Sequence, residues 1–217
     1  FILQPVIFGY IVKRDYRIDW STDPEYSLIK SRWSGFAINL AAFIHGSTDI
    51  TILTILTNLK TVSVYSVYGL VSNGIKALVQ ACLSGLSQTV GQAYAKKDWK
   101  ELNQKLDPYE YVVFVLVFFI FTVTALLINP FIRLYTRDVT DANYNQPIFG
   151  ILLIISEGLY LVKFPHLNLA YAANKFKEIT VPAYIEALLN IVISVILVHK
   201  FGLVGVAVGT IVGMTYR

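Results

Sequence analysis

The arrangement of apolar and polar positions along the chain predicts a series of long hydrophobic helices. The clearest of them is the segment 111–132, which contains no charged residue. A helix rises about 1.5 Å per residue, so this segment reaches across the roughly 30 Å hydrocarbon core of a bilayer. A helix on the surface of a soluble protein needs a polar face, and this segment has none. The alternative is burial in a large soluble core, but neighbouring segments repeat the same apolar pattern.

Further apolar segments predict the remaining spans. We expect membrane helices at residues 33–57, 62–92, 111–132, 147–173 and 179–198, and a sixth that begins at Leu203 and is cut off at Arg217. Asp107 and Pro108 suit the N-cap and the first helical position, which predicts the start of the third span there. Pro165 should interrupt the fourth span because proline lacks a backbone donor. The pattern therefore predicts an all-α fold, a polytopic transmembrane helix bundle.

Composition agrees with a membrane protein and narrows its chemistry. Hydrophobic residues make up 55% of the chain and charged residues 15%, whereas about a quarter of a soluble domain is charged. The single cysteine, Cys82, excludes an internal disulfide, and the histidines His45, His166 and His199 lie too far apart for a metal site. The sequence shows neither a glycine-rich phosphate loop nor a Ser-His-Asp arrangement. We expect no metal, no cofactor, no nucleic-acid partner and no enzymatic activity.

Basic residues fall on alternate sides of the predicted spans, which orients them. One side holds Lys13, Arg14, Arg17, Lys30, Arg32, Lys96, Lys97, Lys100, Lys105, Lys175 and Lys177, and the other holds Lys60, Arg133, Arg137 and Lys200. Because basic loops stay in the cytoplasm, we expect the first group to be cytoplasmic. Within it, the amphipathic segment 95–107 is either a short helix against the head groups or a solvated connector.

The chain begins at Phe1 and its only methionine is Met214, so we expect an internal fragment of a longer membrane protein. In this interpretation residues 1–12 are the end of a preceding transmembrane helix. Residues 13–32 form a cytoplasmic linker between two lobes, and residues 33–217 form the C-terminal lobe.

Polar residues inside the second predicted span follow one helical face. They are Gly69, Asn73, Lys76, Gln80, Ser84, Ser87 and Gly91. Spacings of three and four residues place them along one stripe, which favours the wall of a hydrated cavity with Lys76 as its charge. The alternative is a seam of small residues between packed helices.

Other ionisable residues inside the predicted spans are candidates for ion coupling, because a charge at mid-bilayer is costly and usually functional. His45 and Asp49 lie one turn apart and could move a proton, or Asp49 could be solvated at the external end. Glu157 lies deep in the fourth span and is a coupling candidate or a structural partner of Lys163. Glu186 is either a coupling group or a solvated residue near the cytoplasmic end.

Further polar residues singled out in these spans are Lys163, His166, Asn190 and Ser194. Lys163 and His166 flank Pro165, and broken helices near charged groups are common at transporter sites. Lys163 could instead extend toward an interface. Asn190 and Ser194 continue the helical face of Glu186.

Four sequence blocks point to a family. They are STDI (47–50), NLKTVSVYSVY (58–68), AKKD (95–98) and FGLVGVAVGT (201–210). Together they resemble bacterial polysaccharide flippases of the multidrug, oligosaccharidyl-lipid and polysaccharide exporter superfamily. The resemblance implies two six-helix lobes around a cavity that opens alternately to each side, with this chain as most of the second lobe. It also implies a cargo of oligosaccharide on polyprenyl pyrophosphate, moved to the outer leaflet of a bacterial inner membrane. No site residue is carried over from the family.

These observations predict a flippase for a lipid-linked glycan such as an O-antigen or capsule repeat unit. We expect Lys76 and Lys163 to contact pyrophosphate or acidic sugars, and Asn73, Gln80 and Asn190 to bind sugar hydroxyls. The ion-coupling candidates are His45, Asp49, Glu157 and Glu186. Expected partners are the bilayer, the lipid-linked oligosaccharide and glycan-assembly membrane proteins. The alternatives are a drug/cation antiporter of the same fold, a membrane glycan polymerase or glycosyltransferase, and a non-transporting scaffold.

Overall fold

The computed structural model describes residues 3–15 and 32–217, and within them the only regular secondary structure is helical. The helices are α1 (Leu3–Asp15), α2 (Arg32–Leu56), α3 (Leu59–Ala95), α4 (Trp99–Tyr135), α5 (Pro147–Val162), α6 (Phe164–Ala172), α7 (Phe176–Phe201) and α8 (Leu203–Tyr216). The chain divides into two compact units, Phe1–Trp33 and Ser34–Arg217. The first unit contains α1, and the second contains nearly all of α2 and the helices that follow.

The prediction of an all-α polytopic bundle is confirmed. Among the described residues, α3, α4, α7 and the segment Pro147–Ala172 are long and apolar enough to cross a membrane. The stretch Gly46–Leu56 of α2 and the whole of α8 are shorter apolar helices. The predicted linker lies mostly outside the described residues. The division into 1–12, 13–32 and 33–217 therefore stays a prediction.

The start of α4 corrects one expectation. The helix begins directly after Asp98, which is its N-cap in place of Asp107, and Pro108 lies inside the helix. The Asp98 carboxylate accepts a hydrogen bond of 2.9 Å from the backbone N–H of Glu101, and Glu101 pairs with a lysine one turn later. A cap and an i,i+4 ion pair both stabilise a helix start. The segment 95–107 is therefore neither a separate interfacial helix nor a connector, because most of it belongs to α4.

Two short turns, one between α3 and α4 and one between α6 and α7, gather at the same end of the bundle. In each, a residue other than glycine adopts a left-handed conformation, Lys97 at φ 58° and Asn174 at φ 55°. Aromatic side chains pack across each turn, with ring centroids 5.7 Å and 6.1 Å apart. We call this the lysine-rich end; it carries Lys96, Lys97, Lys100, Lys175 and Lys177.

At the opposite end, Tyr68 of α3 fixes the connection between α4 and α5. Its hydroxyl donates to the carbonyl of Tyr144 and accepts from the N–H of Gln146, both at 3.0 Å. Its ring packs edge-on against Phe149, with centroids 5.2 Å apart. These contacts tie α3 to the start of α5, and α5 in turn contacts α3, α4 and α8. The position of α5 places its polar residues at the centre of the bundle.

A row of glycines lets α7 and α8 approach closely. Gly205, Gly209 and Gly213 recur every four residues on α8 and face α7. A Cβ atom at Gly209 would lie 2.2 Å from Ser194 Oγ, and one at Gly205 would lie 2.6 Å from the backbone of Leu197. Small residues at such positions are typical of tightly packed membrane helices. This seam brings the polar residues of α7 next to those of α8.

Candidate functional site

The bundle contains a polar cavity of about 230 Å³, with walls from α2, α3, α5, α6, α7 and α8. Asn73 and Lys76 of the predicted stripe line it, whereas Gln80 is not among its lining residues. Farther along α3, a Cβ atom at Gly91 would lie 3.9 Å from the methyl group of Ala172 on α6. The two interpretations of the stripe therefore apply to different parts of it. Its first half faces the cavity, and Gly91 belongs to a packing seam.

The first polar cluster at the cavity centres on Asp49 of α2. Its carboxylate accepts hydrogen bonds from the Asn190 amide at 3.3 Å, the Thr210 hydroxyl at 3.0 Å and the Tyr65 hydroxyl at 3.2 Å. These donors come from α7, α8 and α3. Asp49 is only 6% exposed, so the interpretation as a solvated external residue is wrong. This buried carboxylate therefore accepts hydrogen bonds from neutral donors on three other helices.

Two hydroxyl groups near Asp49 each lie within hydrogen-bond distance of two acceptors. Thr210 Oγ1 lies 3.0 Å from Asp49 Oδ2 and 3.1 Å from the carbonyl oxygen of Val206. Ser194 Oγ lies 2.9 Å from Asn190 Oδ1 and 3.3 Å from the same carbonyl. Each hydroxyl carries one proton and can donate to one of its two acceptors at a time. The two hydroxyls therefore share their protons among the Asp49 carboxylate, the Asn190 amide oxygen and the Val206 carbonyl.

The second cluster is an ion pair across the cavity between α3 and α5. Lys76 Nζ lies 2.9 Å from Glu157 Oε2. The two side chains are 25% and 17% exposed, so both remain accessible from the cavity. This pairing differs from the expected partnership of Glu157 with Lys163, which lies on the same helical segment. Lys76 is the one charged residue of its stripe, and its partner is a carboxylate on another helix.

The third cluster centres on Glu186 of α7, whose side chain is 2% exposed. Lys163 Nζ lies 3.2 Å from both of its carboxylate oxygens, and Arg217 Nη1 lies 2.8 Å from Oε2. Lys163 occupies the break between α5 and α6, two residues before Pro165. The solvated alternative for Glu186 is wrong, and Lys163 turns into the bundle instead of extending to an interface.

Tyr160 of α5 lies between the second and third clusters. Its ring centroid is 5.3 Å from Lys76 Nζ and 5.3 Å from Lys163 Nζ. An ammonium group near a ring face gains a cation–π attraction. The ring thus separates two lysines that carry the same charge and contacts both of them.

The structure brings together most, but not all, of the predicted site residues. Asn73, Lys76, Asp49, Glu157 and Glu186 line the cavity. Asn190 is 1% exposed and uses its amide nitrogen for Asp49 and Thr210, which makes it a structural neighbour of Asp49. Lys163 is not among the lining residues and contacts Glu186. The backbone of His45 belongs to α2, but its side chain is outside the described residues.

Sequence reasoning missed four residues of these clusters: Tyr65, Tyr160, Thr210 and Arg217. The two tyrosines and the threonine carry no charge, so the search for ionisable groups in apolar segments passed over them. A signal for Thr210 existed, because it directly follows Gly209 in the glycine row that packs on α7. Arg217 lies at the end of the sixth expected span, where a basic residue normally indicates an interface.

Comparison with known proteins identifies a family. The family model described as MatE matches residues 36–198, a stretch that includes Lys76, Glu157 and Glu186. No curated protein and no solved structure matches the chain. The match covers the sequence from α2 to α7 and therefore most of the helices that build the cavity.

Proposed function

The chain belongs to the MatE family of membrane exporters, in the multidrug, oligosaccharidyl-lipid and polysaccharide exporter superfamily, and we propose that it is part of a flippase for a lipid-linked oligosaccharide. Members of the family are transporters rather than enzymes. In this proposal the chain is the second lobe, and the cargo is an oligosaccharide on polyprenyl pyrophosphate. It moves from the cytoplasmic to the outer leaflet of a bacterial inner membrane. The resemblance of blocks 58–68 and 201–210 to polysaccharide flippases supports this cargo class.

The single observation that carries the proposal is the exchangeable ion pair between Lys76 and Glu157. Both side chains line the cavity and stay partly exposed. An arriving pyrophosphate replaces Glu157 as the counter-ion of Lys76, so the ammonium keeps an anionic partner throughout. Replacing one partner by another avoids the large cost of leaving a charge unpaired in a low-dielectric site. Asn73, three residues before Lys76, is exposed in the same cavity and hydrogen-bonds sugar hydroxyls.

Release of Glu157 from Lys76 links the binding of cargo to the binding of an ion. A carboxylate that loses its ammonium partner becomes available to a new cation. Asp49 is the better place for a resident coupling ion, because the hydroxyl oxygens of Thr210 and Tyr65 lie 3.0 Å and 3.2 Å from its carboxylate. Hard monovalent and divalent cations prefer such oxygen ligands. In this proposal Asp49 holds the coupling ion and Glu157 responds to the cargo.

The alternative function is a drug/cation antiporter of the same fold. In that case a cationic cargo would compete with Lys76 for Glu157, so the roles of the two partners would be reversed. Glu157→Gln would then remove the cargo contact, and Lys76→Ala would leave the carboxylate available. The two functions therefore predict opposite results. Lys76→Ala should impair transport more than Glu157→Gln in a flippase, and less in an antiporter.

The test is flipping of a fluorescent polyprenyl-pyrophosphate oligosaccharide by the full-length exporter in proteoliposomes. We expect Lys76→Ala to abolish flipping and Lys76→Arg to retain part of it, since arginine keeps the charge but changes the geometry. Glu157→Gln should bind cargo but respond less to an imposed proton or sodium gradient. Asp49→Asn should lose that response altogether.

Glu178→Gln is the matched control, because Glu178 is exposed at the lysine-rich end, where it pairs with Lys175. Absence of flipping by the unmodified exporter, with transport of an organic cation that survives Lys76→Ala but fails in Glu157→Gln, would favour the antiporter. Normal flipping and normal gradient response in both variants would remove the pair from the mechanism. Insertion of every variant is checked by its yield after detergent extraction.

A further inference from the structure

A second amphipathic site lies outside the central cavity, on the outer face of the bundle between α4 and α5. Its apolar part is a groove of about 430 Å³ whose lining residues include Phe114, Phe118, Phe121, Ile151 and Val162. The rings of Phe114 and Phe118 stack at a centroid distance of 6.3 Å. Both rings are largely exposed, so the groove opens toward the hydrocarbon of the bilayer.

The same groove ends in a polar mouth. A second depression of about 440 Å³ shares Phe114 and Val162 with the apolar groove and adds Asp107, Glu110, Tyr111 and His166. Glu110 Oε1 lies 3.6 Å from His166 Nε2. Asp107 and Glu110 directly precede the uncharged run 111–132, so the mouth lies where α4 enters the hydrocarbon. It therefore lies at the depth of lipid head groups, on the lysine-rich side.

The combination has the dimensions and the chemistry of a lipid site. We propose that the groove between α4 and α5 binds a bilayer phospholipid with a primary ammonium head group, with one acyl chain in the groove and the ammonium at Asp107 and Glu110. A primary ammonium offers three hydrogen-bond donors to carboxylates, whereas a quaternary ammonium offers none. Two carboxylates at the mouth also repel an anionic head group. The site thus selects its lipid by charge and by hydrogen bonding.

The other side of α4 provides an internal comparison. A larger groove of about 580 Å³ lies between α3 and α4 and is lined by residues such as Leu70, Phe119, Val123 and Tyr135. No charged residue lines this groove among those described. It can accept an acyl chain but has no carboxylate to distinguish one head group from another. Selectivity for an amino lipid is therefore expected on the α5 side only.

The first experiment measures lipid retention by native mass spectrometry of the full-length exporter. The protein is equilibrated with phosphatidylethanolamine, phosphatidylcholine or phosphatidylglycerol of identical acyl chains. We expect preferential retention of phosphatidylethanolamine. The double substitution Asp107→Asn/Glu110→Gln should lower that preference about two- to fivefold, the range of partly exposed ion pairs. Glu178→Gln removes a carboxylate from the same end outside the groove and should leave the preference unchanged.

A pair of neighbouring substitutions tests the groove itself. Thr122 lines the α5-side groove and Val123 lines the α3-side groove. Thr122→Trp should fill the first groove and reduce retention of phosphatidylethanolamine. Val123→Trp adds a similar bulk one residue away and should not reduce it.

Photo-crosslinking of the unmodified protein makes the test independent of how the variants fold. Phosphatidylethanolamine with a diazirine in its acyl chain should label α5 peptides from residues 147–162 more than α3 peptides from residues 67–75. Equal labelling of both helices would overturn the proposal. So would equal retention of the three lipids, an equal effect of Glu178→Gln, or protection of the groove by protein instead of lipid.

Discussion

The Asp49 cluster and the Glu186 cluster contain the same chemical group in opposite settings. Both carboxylates are buried, at 6% and 2% exposure. Hydroxyl and amide groups from three helices donate to Asp49, whereas Lys163 and Arg217 flank Glu186 at 3.2 Å and 2.8 Å. A carboxylate can exchange a neutral donor for a cation without separating an ion pair. A carboxylate held by two cations cannot, and its main effect is to neutralise them.

The comparison shows why burial alone does not identify a coupling group. Both residues satisfy the rule that intramembrane carboxylates are functional, and the sequence-based list included both. Only the residues that contact each carboxylate distinguish an ion-binding role from a structural one. The Lys76–Glu157 pair is intermediate, because it is charged like the Glu186 cluster but accessible from the cavity.

The largest expected effect is that of Glu186→Gln on stability. The substitution leaves Lys163 and Arg217 close together without a carboxylate, and breaking a buried pair in this way costs about 3 kcal/mol. Asp49→Asn should cost roughly 1 kcal/mol, because neutral donors lose a charged acceptor but keep a polar one. Denaturant titration of the purified protein in detergent measures both.

A compensating substitution sharpens this test. In a Glu186→Gln background, Lys163→Met removes one of the two stranded cations at similar volume. We expect the double variant to regain part of the lost stability. Equal costs for Glu186→Gln and Asp49→Asn would show that the partners do not distinguish the two clusters.

The next largest effect concerns the seam that holds the Asp49 cluster together. A methyl group at Gly209 would lie 2.2 Å from Ser194 Oγ and 2.8 Å from Ser194 N. Gly209→Ala should therefore separate α7 from α8 and cost about 1–3 kcal/mol. Gly85→Ala is the control, because no atom lies within 4 Å of a Cβ at that position. Thermal unfolding followed by tyrosine and tryptophan fluorescence compares the two.

The Lys76–Glu157 pair should contribute less to the stability of the protein. Its side chains are partly exposed, so a double-mutant cycle with Lys76→Met and Glu157→Gln should give a coupling energy of about 1 kcal/mol. Loss of flipping should nevertheless be large in Lys76→Met. A coupling energy near 3 kcal/mol would place the pair with the Glu186 cluster as a structural element.

Removal of the Tyr160 ring should have a small effect of similar size. Tyr160→Leu abolishes two cation–π contacts and should cost roughly 1 kcal/mol in stability. Tyr160→Phe keeps the ring and should cost less than Tyr160→Leu. Equal costs of the two substitutions, measured in the same unfolding assay, would assign the effect to the hydroxyl group and not to the ring.

Much of the fold was predictable because apolar runs and helix breakers act locally. The run 111–132 lies within α4, and the interruption expected at Pro165 occurs at Lys163, as the steric conflict of proline with the preceding turn requires. The start of α4 was not predicted correctly, because both Asp98 and Asp107 have the chemistry of an N-cap. The ion pair of Glu101 favours the earlier one.

The site was predictable as a list of residues but not as a set of pairs. Lys76 and Glu157 stood out because charges are rare in apolar spans. Their pairing depends on the packing of α3 against α5, which no periodicity reveals. Asp49 and Asn190 are 141 positions apart in the sequence, and they meet because the glycine row draws α8 onto α7. The sequence shows that row but not the helix that it faces.

The pairing of charges has an electrical consequence. Lys76, Lys163 and Arg217 together with Asp49, Glu157 and Glu186 sum to a formal charge of zero. One elementary charge moved through a membrane potential of 100 mV changes the energy by about 2.3 kcal/mol. A set of intramembrane charges that sums to zero can move across that field at little electrical cost. Any dependence of transport current on voltage would then report the charge of the cargo and its coupling ion, and not the charge of the protein that carries them.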